Sequence, residues 1–328
     1  MKNLSMVEIA KLSGVSIATV SRVLNKNGRY SPETERRVMK VVNENNYQIN
    51  LNAKGLRTHK THSIGMIVPD ITNEFFGRII RSVENSTLPL NYTVVVCDSN
   101  ENTQLEKKYI MDLAAKNVDG IILISTELNV KSIYNEYKIP AVYIDRRPEN
   151  AGTLIVSDNE RGGYLAAEEL IQKGCRKIVH LRDKNIYSTV RHRYAGFEKA
   201  HKKYGIPLDE ELIIQIPVSH NEAYQAIQDL IVSGKSFDGI FCENDQVALG
   251  ALHAVTDAGL SVPDDVKIVG FDDTSFASLC SPALTSIRQD TDAFGKSAVD
   301  HLFRLMQGEC TEDAVCVLPV ELIRRSTT

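Results

Sequence analysis

Two short runs of apolar residues at helical spacing open the chain. Met6, Ile9, Ala10 and Leu12 make one face, and Val15, Val20, Val23 and Leu24 make the next. Between them, Gly14 can take the positive φ that stops a helix, and Ser16 can cap the one that follows. The pattern predicts two helices joined by a tight turn. That is either a helix-turn-helix, whose second helix enters a DNA major groove, or an ordinary surface hairpin. A third helix is predicted from Ser31, an N-cap, with Pro32 at its first position, Glu33 and Glu35 in its first turn and Val38, Val41 and Val42 on its apolar side. Met39 and Tyr47 are expected to complete a three-helix core. Residues 50–63 are polar and basic and read as a linker. Within them, residues 51–56 can make one and a half helical turns capped by Asn50. So short a helix is marginal alone, and Gly55 weakens it further.

From residue 63 the period changes. Apolar strands are predicted at 64–68, 93–97, 120–124, 141–144, 154–156, 178–181, 212–216, 239–242 and 268–271, with amphipathic helices between them at 75–86, 105–116, 162–173, 196–204, 223–232 and 246–258. Strands that alternate with helices predict parallel sheets in a doubly wound α/β body. Nine strands in some 260 residues are better placed in two lobes than in one.

Charge sharpens this division. Residues 1–62 carry eleven Lys and Arg against four Asp and Glu, whereas the remaining 266 residues have a net charge of −11. A small basic module on an acidic body predicts that only the N-terminal part meets a polyanion. Lys26, Arg29, Arg36, Arg37 and Lys40 are candidate phosphate contacts. The six cysteines, Cys97, Cys175, Cys242, Cys280, Cys310 and Cys316, form no CxxC pair and most have apolar neighbours. They read as free thiols of a cytoplasmic protein, not as metal ligands. No signal peptide and no membrane span are expected, and no cofactor is called for.

The stretch VEIAKLSGVSIATVSRVLN at 7–25 is close to the signature of the lactose/galactose-repressor (LacI) family, and SPETERRVMKVV at 31–42 resembles its third helix. SDNERGGYLAAEEL at 157–170, RYAGF at 193–197, NDQVALGAL at 244–252, GFDD at 270–273 and PALTSIRQD at 282–290 resemble its core motifs, in order and at matching spacing. The resemblance covers nearly the whole chain. It implies an all-α headpiece at 1–48, a hinge helix or linker at 49–62 and, at 63–328, a two-lobed α/β core like a type I periplasmic binding protein. One lobe would take about 63–156 and 291–319, and the other about 157–290 and 320–328. It also implies a homodimer on pseudo-palindromic operator DNA, with a small molecule bound between the lobes. The absence of a heptad tail favours a dimer over a tail-mediated tetramer.

Residue by residue, the resemblance places Ser16, Ile17, Ala18, Thr19, Ser21, Arg22, Asn25 and Arg29 at the operator. Ile17 and Ala18 can touch thymine methyls, which leaves Arg22 as the main reader of base edges. In the hinge, Ala53, Lys54 and Leu56 take the minor-groove positions, with Leu56 as a wedge between base steps. Ile49 and Leu51 depart from the Pro and Ala frequent in the family, and Lys54 stands for the usual Arg.

For the effector, the matching residues are Asn73, Phe75, Phe76, Asp145, Arg146, Arg193, Asn244, Asp272 and Gln289. Carboxylates and amides can each take paired hydroxyls while the two Phe wall the ring, at strand C-termini where open α/β sheets bind ligands. The set is similar to that of periplasmic ribose-binding proteins, so ribose or another pentose is expected. The aromatic that should follow the strand near Ile216 is missing, and His220 is the candidate for its place. Plain core packing is expected for one of Phe75 and Phe76, and an internal ion pair is the alternative for Asp145 and Arg146. Asp158, Asn159 and Arg161 are expected at the lobe junction, away from ligand.

Sugar binding is expected to close the lobes, separate two hinge segments and release DNA. The alternatives within the family are a corepressor and a phosphoprotein partner. A sugar-transforming enzyme is disfavoured because no P-loop, GxSxG or HExxH occurs. An exported binding protein would lack the basic headpiece.

Overall fold

A computed structural model of the chain describes residues 4–45, 47, 60–125, 136–146, 152–309 and 314–328. The chain divides into two units, Met1–Thr61 and His62–Thr328. The expected hinge helix with Ala53, Lys54 and Leu56 lies outside the described residues, as does Cys310.

The first unit holds α1 (Met6–Ser13), α2 (Ile17–Asn25) and α3 (Pro32–Glu44). Each begins at a serine whose hydroxyl accepts a backbone N–H: Ser5 from Glu8, Ser16 from Thr19, Ser31 from Thr34. Glu8 returns a carboxylate to the Ser5 N–H, so α1 starts in a full capping box. Gly14, at φ 65°, ends α1. Ile9, Ala10, Val20, Val23, Val38 and Val42 are buried together, and Tyr47 packs against them. Two expectations fail. Leu12 is mostly exposed, and Met39 stays outside this core. The core is already filled by β-branched residues from three directions.

In the second unit, β1 (Ser63–Val68), α4 (Glu74–Thr87), β2 (Thr93–Asp98), α5 (Thr103–Ala115), β3 (Gly120–Leu123), β4 (Ala141–Ile144) and β5 (Thr153–Ser157) come first. Then follow α6 (Asn159–Gln172), β6 (Ile178–Asp183), α7 (Ser188–Tyr204), β7 (Ile213–Ile216), α8 (His220–Val232), β8 (Gly239–Cys242), α9 (Asp245–Asp257) and β9 (Lys267–Asp272). The chain finishes with α10 (Ser275–Leu279), β10 (Thr285–Gln289), α11 (Thr291–Met306), β11 (Val315–Leu318) and β12 (Val320–Ile323). One sheet has the order β11-β5-β4-β3-β1-β2, all parallel. The other has the order β12-β10-β9-β8-β6-β7, in which only β12 runs antiparallel.

Helices cover both faces of each sheet, as buried parallel strands require. Phe294 and Leu302 of α11 join Ile79 and Val83 of α4 on one face of the first sheet, while Ile110 and Leu113 of α5 cover the other. In the second lobe, Leu170 and Phe197 from α6 and α7 lie opposite Ile227 and Leu252 from α8 and α9. The chain passes between the lobes after β5, after β10 and at Pro319, so three strands of backbone join them.

Candidate functional site

On α2, Ile17, Ala18 and Arg22 are exposed, as are Ser16 and Arg29 outside it, while Thr19, Ser21 and Asn25 are half-buried. Val20 and Val23 point inward, so the polar row is held by the helix's own packing. Ser16 Oγ and Thr19 Oγ1 lie 2.9 Å apart in the N-cap, and Asn25 Nδ2 donates to the Ser21 carbonyl at 2.7 Å. These three side chains are therefore shared between the helix and any ligand of its surface. One contributor escaped the sequence reading. A Cβ on Gly28, at φ 87°, would sit 3.3 Å from Arg22 Cδ, so the bare backbone there lets the arginine stem lie flat against it.

The second candidate site is the cleft between the lobes, a cavity of ≈ 100 Å³. From the first lobe come Asn73, Phe75 and Phe76 at the start of α4, Glu101 after β2, and Asp145 with Arg146 after β4. The second lobe supplies Asp183 at the end of β6 and Tyr187 beyond it, Thr189, Val190 and Arg193 on α7, Val218 after β7, Glu243 and Asn244 after β8, and Asp272 at the end of β9. All but the α7 residues are at or just beyond strand C-termini or open the helices that follow, because in a parallel sheet every strand delivers its end to the same edge. Asp145 and Asp272 hold φ of 64° and 97°, a left-handed conformation that turns the chain sharply at two sites where a carboxylate faces the cavity.

A backbone-to-backbone helix crossing places Arg193. A Cβ on Gly163 of α6 would lie 1.9 Å from the Arg193 carbonyl, and one on Gly196 of α7 would lie 1.9 Å from that of Glu160. Only glycine fits either position. With the helices so close, Arg193 Nε donates to Asn159 Oδ1 at 2.8 Å and its Nη1 donates to the Glu243 carbonyl at 2.6 Å. Its guanidinium also lies over the Phe271 ring, 3.7 Å from the centroid. Across the cleft, Arg146 pairs with Glu101 at 2.9 Å and stacks on Tyr187, whose hydroxyl donates to the other Glu101 oxygen at 3.0 Å. The alternative of an Asp145–Arg146 ion pair therefore fails.

Several buried acceptors are left over. Asp145 Oδ1 and both carboxylate oxygens of Glu243 have no hydrogen-bond partner among the described residues. Burial pushes the Asp145 carboxyl above its usual range, against the pull of Arg193 and then Arg146. Burial likewise holds Asp272 up at about 6, opposed by Arg193 and the Gln289 amide, and Asp183 at about 6, opposed by the Asn185 N–H and Arg146.

Three expectations need correction. Gln289 stands behind the cleft, its amide donating to Asp272 Oδ1 at 2.7 Å, and lines a separate groove at the lobe crossings. His220 does not fill the place of the missing aromatic. It opens α8, bonded through Nε2 to His253 at 2.8 Å, and Val218 lines the cleft instead. Phe75 and Phe76 both pack in the lobe core and both reach the cavity, so neither is core alone. Glu101, Asp183, Tyr187, Thr189, Val190 and Glu243 were missed. The signal for Asp183 and Glu243 was present, since each is the polar residue on which an apolar strand stops.

Asp158 caps α6 through the Arg161 N–H, and Asn159 buttresses Arg193. Cys97, Cys175, Cys242, Cys280 and Cys316 are free. Among the described residues, no helix is long and apolar enough to cross a membrane.

A helix-turn-helix unit followed by two doubly wound lobes that share one cleft defines the class of ligand-responsive DNA-binding regulators with a periplasmic-binding-protein-like core. Comparison with known proteins agrees. Residues 5–50 match the bacterial regulatory proteins of the lacI family, and residues 167–328 match the periplasmic binding protein-like domain. The ribose operon repressor of Halalkalibacterium halodurans is 35% identical over 325 residues, covering 98% of this chain and 96% of that one. The transcriptional regulator RegA of Clostridium saccharobutylicum is 34% identical, covering 99% of each. The repressor PurR of Histophilus somni is 32% identical, covering 98% and 97%. Among solved structures, the lac repressor dimer bound to operator and the anti-inducer ONPF superimposes with a TM-score of 0.89 at 28% identity, over 99% of each chain. A LacI-family regulator from Enterococcus faecium with bound ribose gives a TM-score of 0.73 at 28% identity, over 81% of this chain and 98% of that one. The chain belongs to the LacI family, and it is a DNA-binding transcriptional regulator.

Proposed function

We propose that the protein is a cytoplasmic repressor of a sugar-utilisation operon that leaves its operator when a small sugar, with D-ribose the first candidate, occupies the interlobe cleft. One observation carries the reading: buried acceptors without donors stand beside two phenylalanines in a cavity sized for one small molecule. Vicinal hydroxyls supply such donors, and a sugar ring's apolar C–H face suits an aromatic wall. The ribose operon repressor among the relatives and the ribose-bound family structure point the same way. No step here breaks a covalent bond. Asp145, Asp272 and Asn244 accept or share hydroxyl hydrogen bonds, Arg146 and Arg193 donate, and Phe75 and Phe76 exclude water.

Regulation follows from the cleft having two sides. The lobes touch directly. Arg78 Nη1 donates to the Asp273 carbonyl at 2.9 Å, the Ser275 N–H donates to the Glu74 carboxylate at 3.0 Å, and Tyr187 reaches Glu101. A sugar bonded to both lobes adds differential affinity for one lobe arrangement, and that difference is what shifts the population. The operator is the opposing ligand, read in the major groove by α2 with Arg22 as the main base reader and Ser16, Ile17, Ala18, Thr19, Ser21, Asn25 and Arg29 around it, and in the minor groove by Ala53, Lys54 and Leu56. Two headpieces are needed for a pseudo-palindrome. Exposed Ile71, Val96 and Met111 on the first lobe and Phe276 and Leu279 on the second favour a homodimer.

The test uses an operator selected from random duplex and titrated by fluorescence anisotropy with and without D-ribose. Weaker operator binding with sugar is expected. Unchanged binding removes ribose as effector, and tighter binding makes it a corepressor.

A further inference from the structure

We infer that this cleft prefers a sugar that carries a protonated amine beside its hydroxyls, an amino or imino sugar, over the neutral parent sugar. This rests on the reading of the cleft as the effector site.

The inference begins with charge. Five carboxylates, Glu101, Asp145, Asp183, Glu243 and Asp272, line the cavity against two guanidiniums, Arg146 and Arg193. Both guanidiniums are already engaged. Arg146 is paired with Glu101 at 2.9 Å. Arg193 is bonded to Asn159 and to the Glu243 carbonyl, and lies 3.6 Å from the Glu243 carboxylate. Arg193 also acts on Asp145 and Asp272, so two cations are shared among five carboxylates, an excess of three negative charges. Asp145 and Asp272 are both more than nine-tenths buried. Asp145 Oδ1 and the two Glu243 oxygens lack any hydrogen-bond partner among the described residues.

A neutral sugar answers only half of this arrangement. Its hydroxyls supply donors, but they leave an excess of three carboxylates, of which Asp145, Glu243 and Asp272 are buried, and buried charge in excess is costly. A primary or secondary ammonium supplies donors and charge together. The carboxylates also lie on both sides of the cleft, Asp145 on the first lobe and Asp183 and Asp272 on the second. A cation between them attracts both lobes at once, so the group that sets affinity also favours closure. The faces of Phe75 and Phe76 suit a cation as well as they suit a sugar ring. A phosphosugar would add negative charge where it is already in excess. Burial holds Asp183 and Asp272 at about 6, and at neutral pH both are largely ionised.

The experiment is calorimetric titration of the full-length protein at pH 7 with matched pairs. These are D-ribose against its imino analogue with nitrogen in place of the ring oxygen, D-glucose against D-glucosamine, and D-galactose against D-galactosamine. In the pair that fits the cavity, the cationic member is expected to bind about tenfold tighter or better. Asp183→Asn is expected to narrow that ratio at least threefold. A neutral parent that binds as tightly as its amine, or tighter, overturns the inference and leaves the sugar-effector reading standing. If no member of any pair binds, the sugar-effector reading fails and the inference falls with it.

Discussion

The headpiece and the cleft solve opposite problems with the same chain. The headpiece presents an exposed row of small and polar side chains on one helix, and its geometry is set within residues 5–44 by caps, a glycine turn and six buried apolar side chains. The cleft presents mostly buried charge gathered from six segments between residues 101 and 272. Damage to the first should therefore be local and modest. Damage to the second should spread, because each buried charge is balanced by groups from other elements.

Paired glycine substitutions test that contrast most severely. Gly163→Ala drives a Cβ to 1.9 Å from the Arg193 carbonyl, backbone against backbone. It should cost more than about 3 kcal/mol and abolish effector binding, measured by denaturant unfolding and calorimetry. Gly14→Ala has nothing within 4 Å of the new Cβ and suffers only its φ of 65°. A loss of roughly 1–2 kcal/mol in the headpiece alone is expected. Equal effects would break the comparison.

Arg193→Ala should come next. It strips the cation from Glu243, Asp272 and Asp145 together, and removing one partner of a buried pair costs about 3–5 kcal/mol. Lower stability with loss of the ligand-induced thermal shift is the expected result. A variant as stable as the parent would show that the carboxylates are compensated in another way.

Arg22→Ala acts at an exposed position, so core stability should not change. Discrimination between operator and random duplex should fall by roughly 1–3 kcal/mol in anisotropy titrations. Preference left intact would shift base readout to the neighbouring residues of α2.

The smallest effect should be the pH response. Asp272 is held at about 6, chiefly by burial, with Arg193 opposing. The folded group keeps its proton to higher pH than the unfolded chain does. Its contribution to stability is thus full below about pH 4 and falls as pH rises through about 6. The melting temperature of Asp272→Asn relative to wild type should rise by a few °C between pH 4 and 7. A difference that stays flat would mean that Asp272 is ionised throughout.

Most of the architecture was legible from the chain. Caps at Ser16 and Ser31, the Gly14 turn and the apolar period predicted three helices. Alternating strands and helices predicted parallel sheets in two lobes. What escaped detection was weakly patterned. β11 and β12 are edge strands of four residues each, half-exposed and too short to show a period. The start of α7 at Ser188 was missed because polar residues precede its apolar face, and that start is what places Arg193 on a helix.

Sequence alone determined the local chemistry: which segments coil, which pleat, where a helix must stop and which residues can read a base edge. Those properties depend on neighbours within a few positions, where steric and capping effects act. Tertiary structure alone decided the company each charge keeps. It set Glu101 against Arg146 and Tyr187, moved Gln289 behind Asp272, and left Asp145 facing the cavity unpaired. Electrostatic balance in a buried cleft depends on distances through space and on excluded water, and no spacing along the chain encodes either.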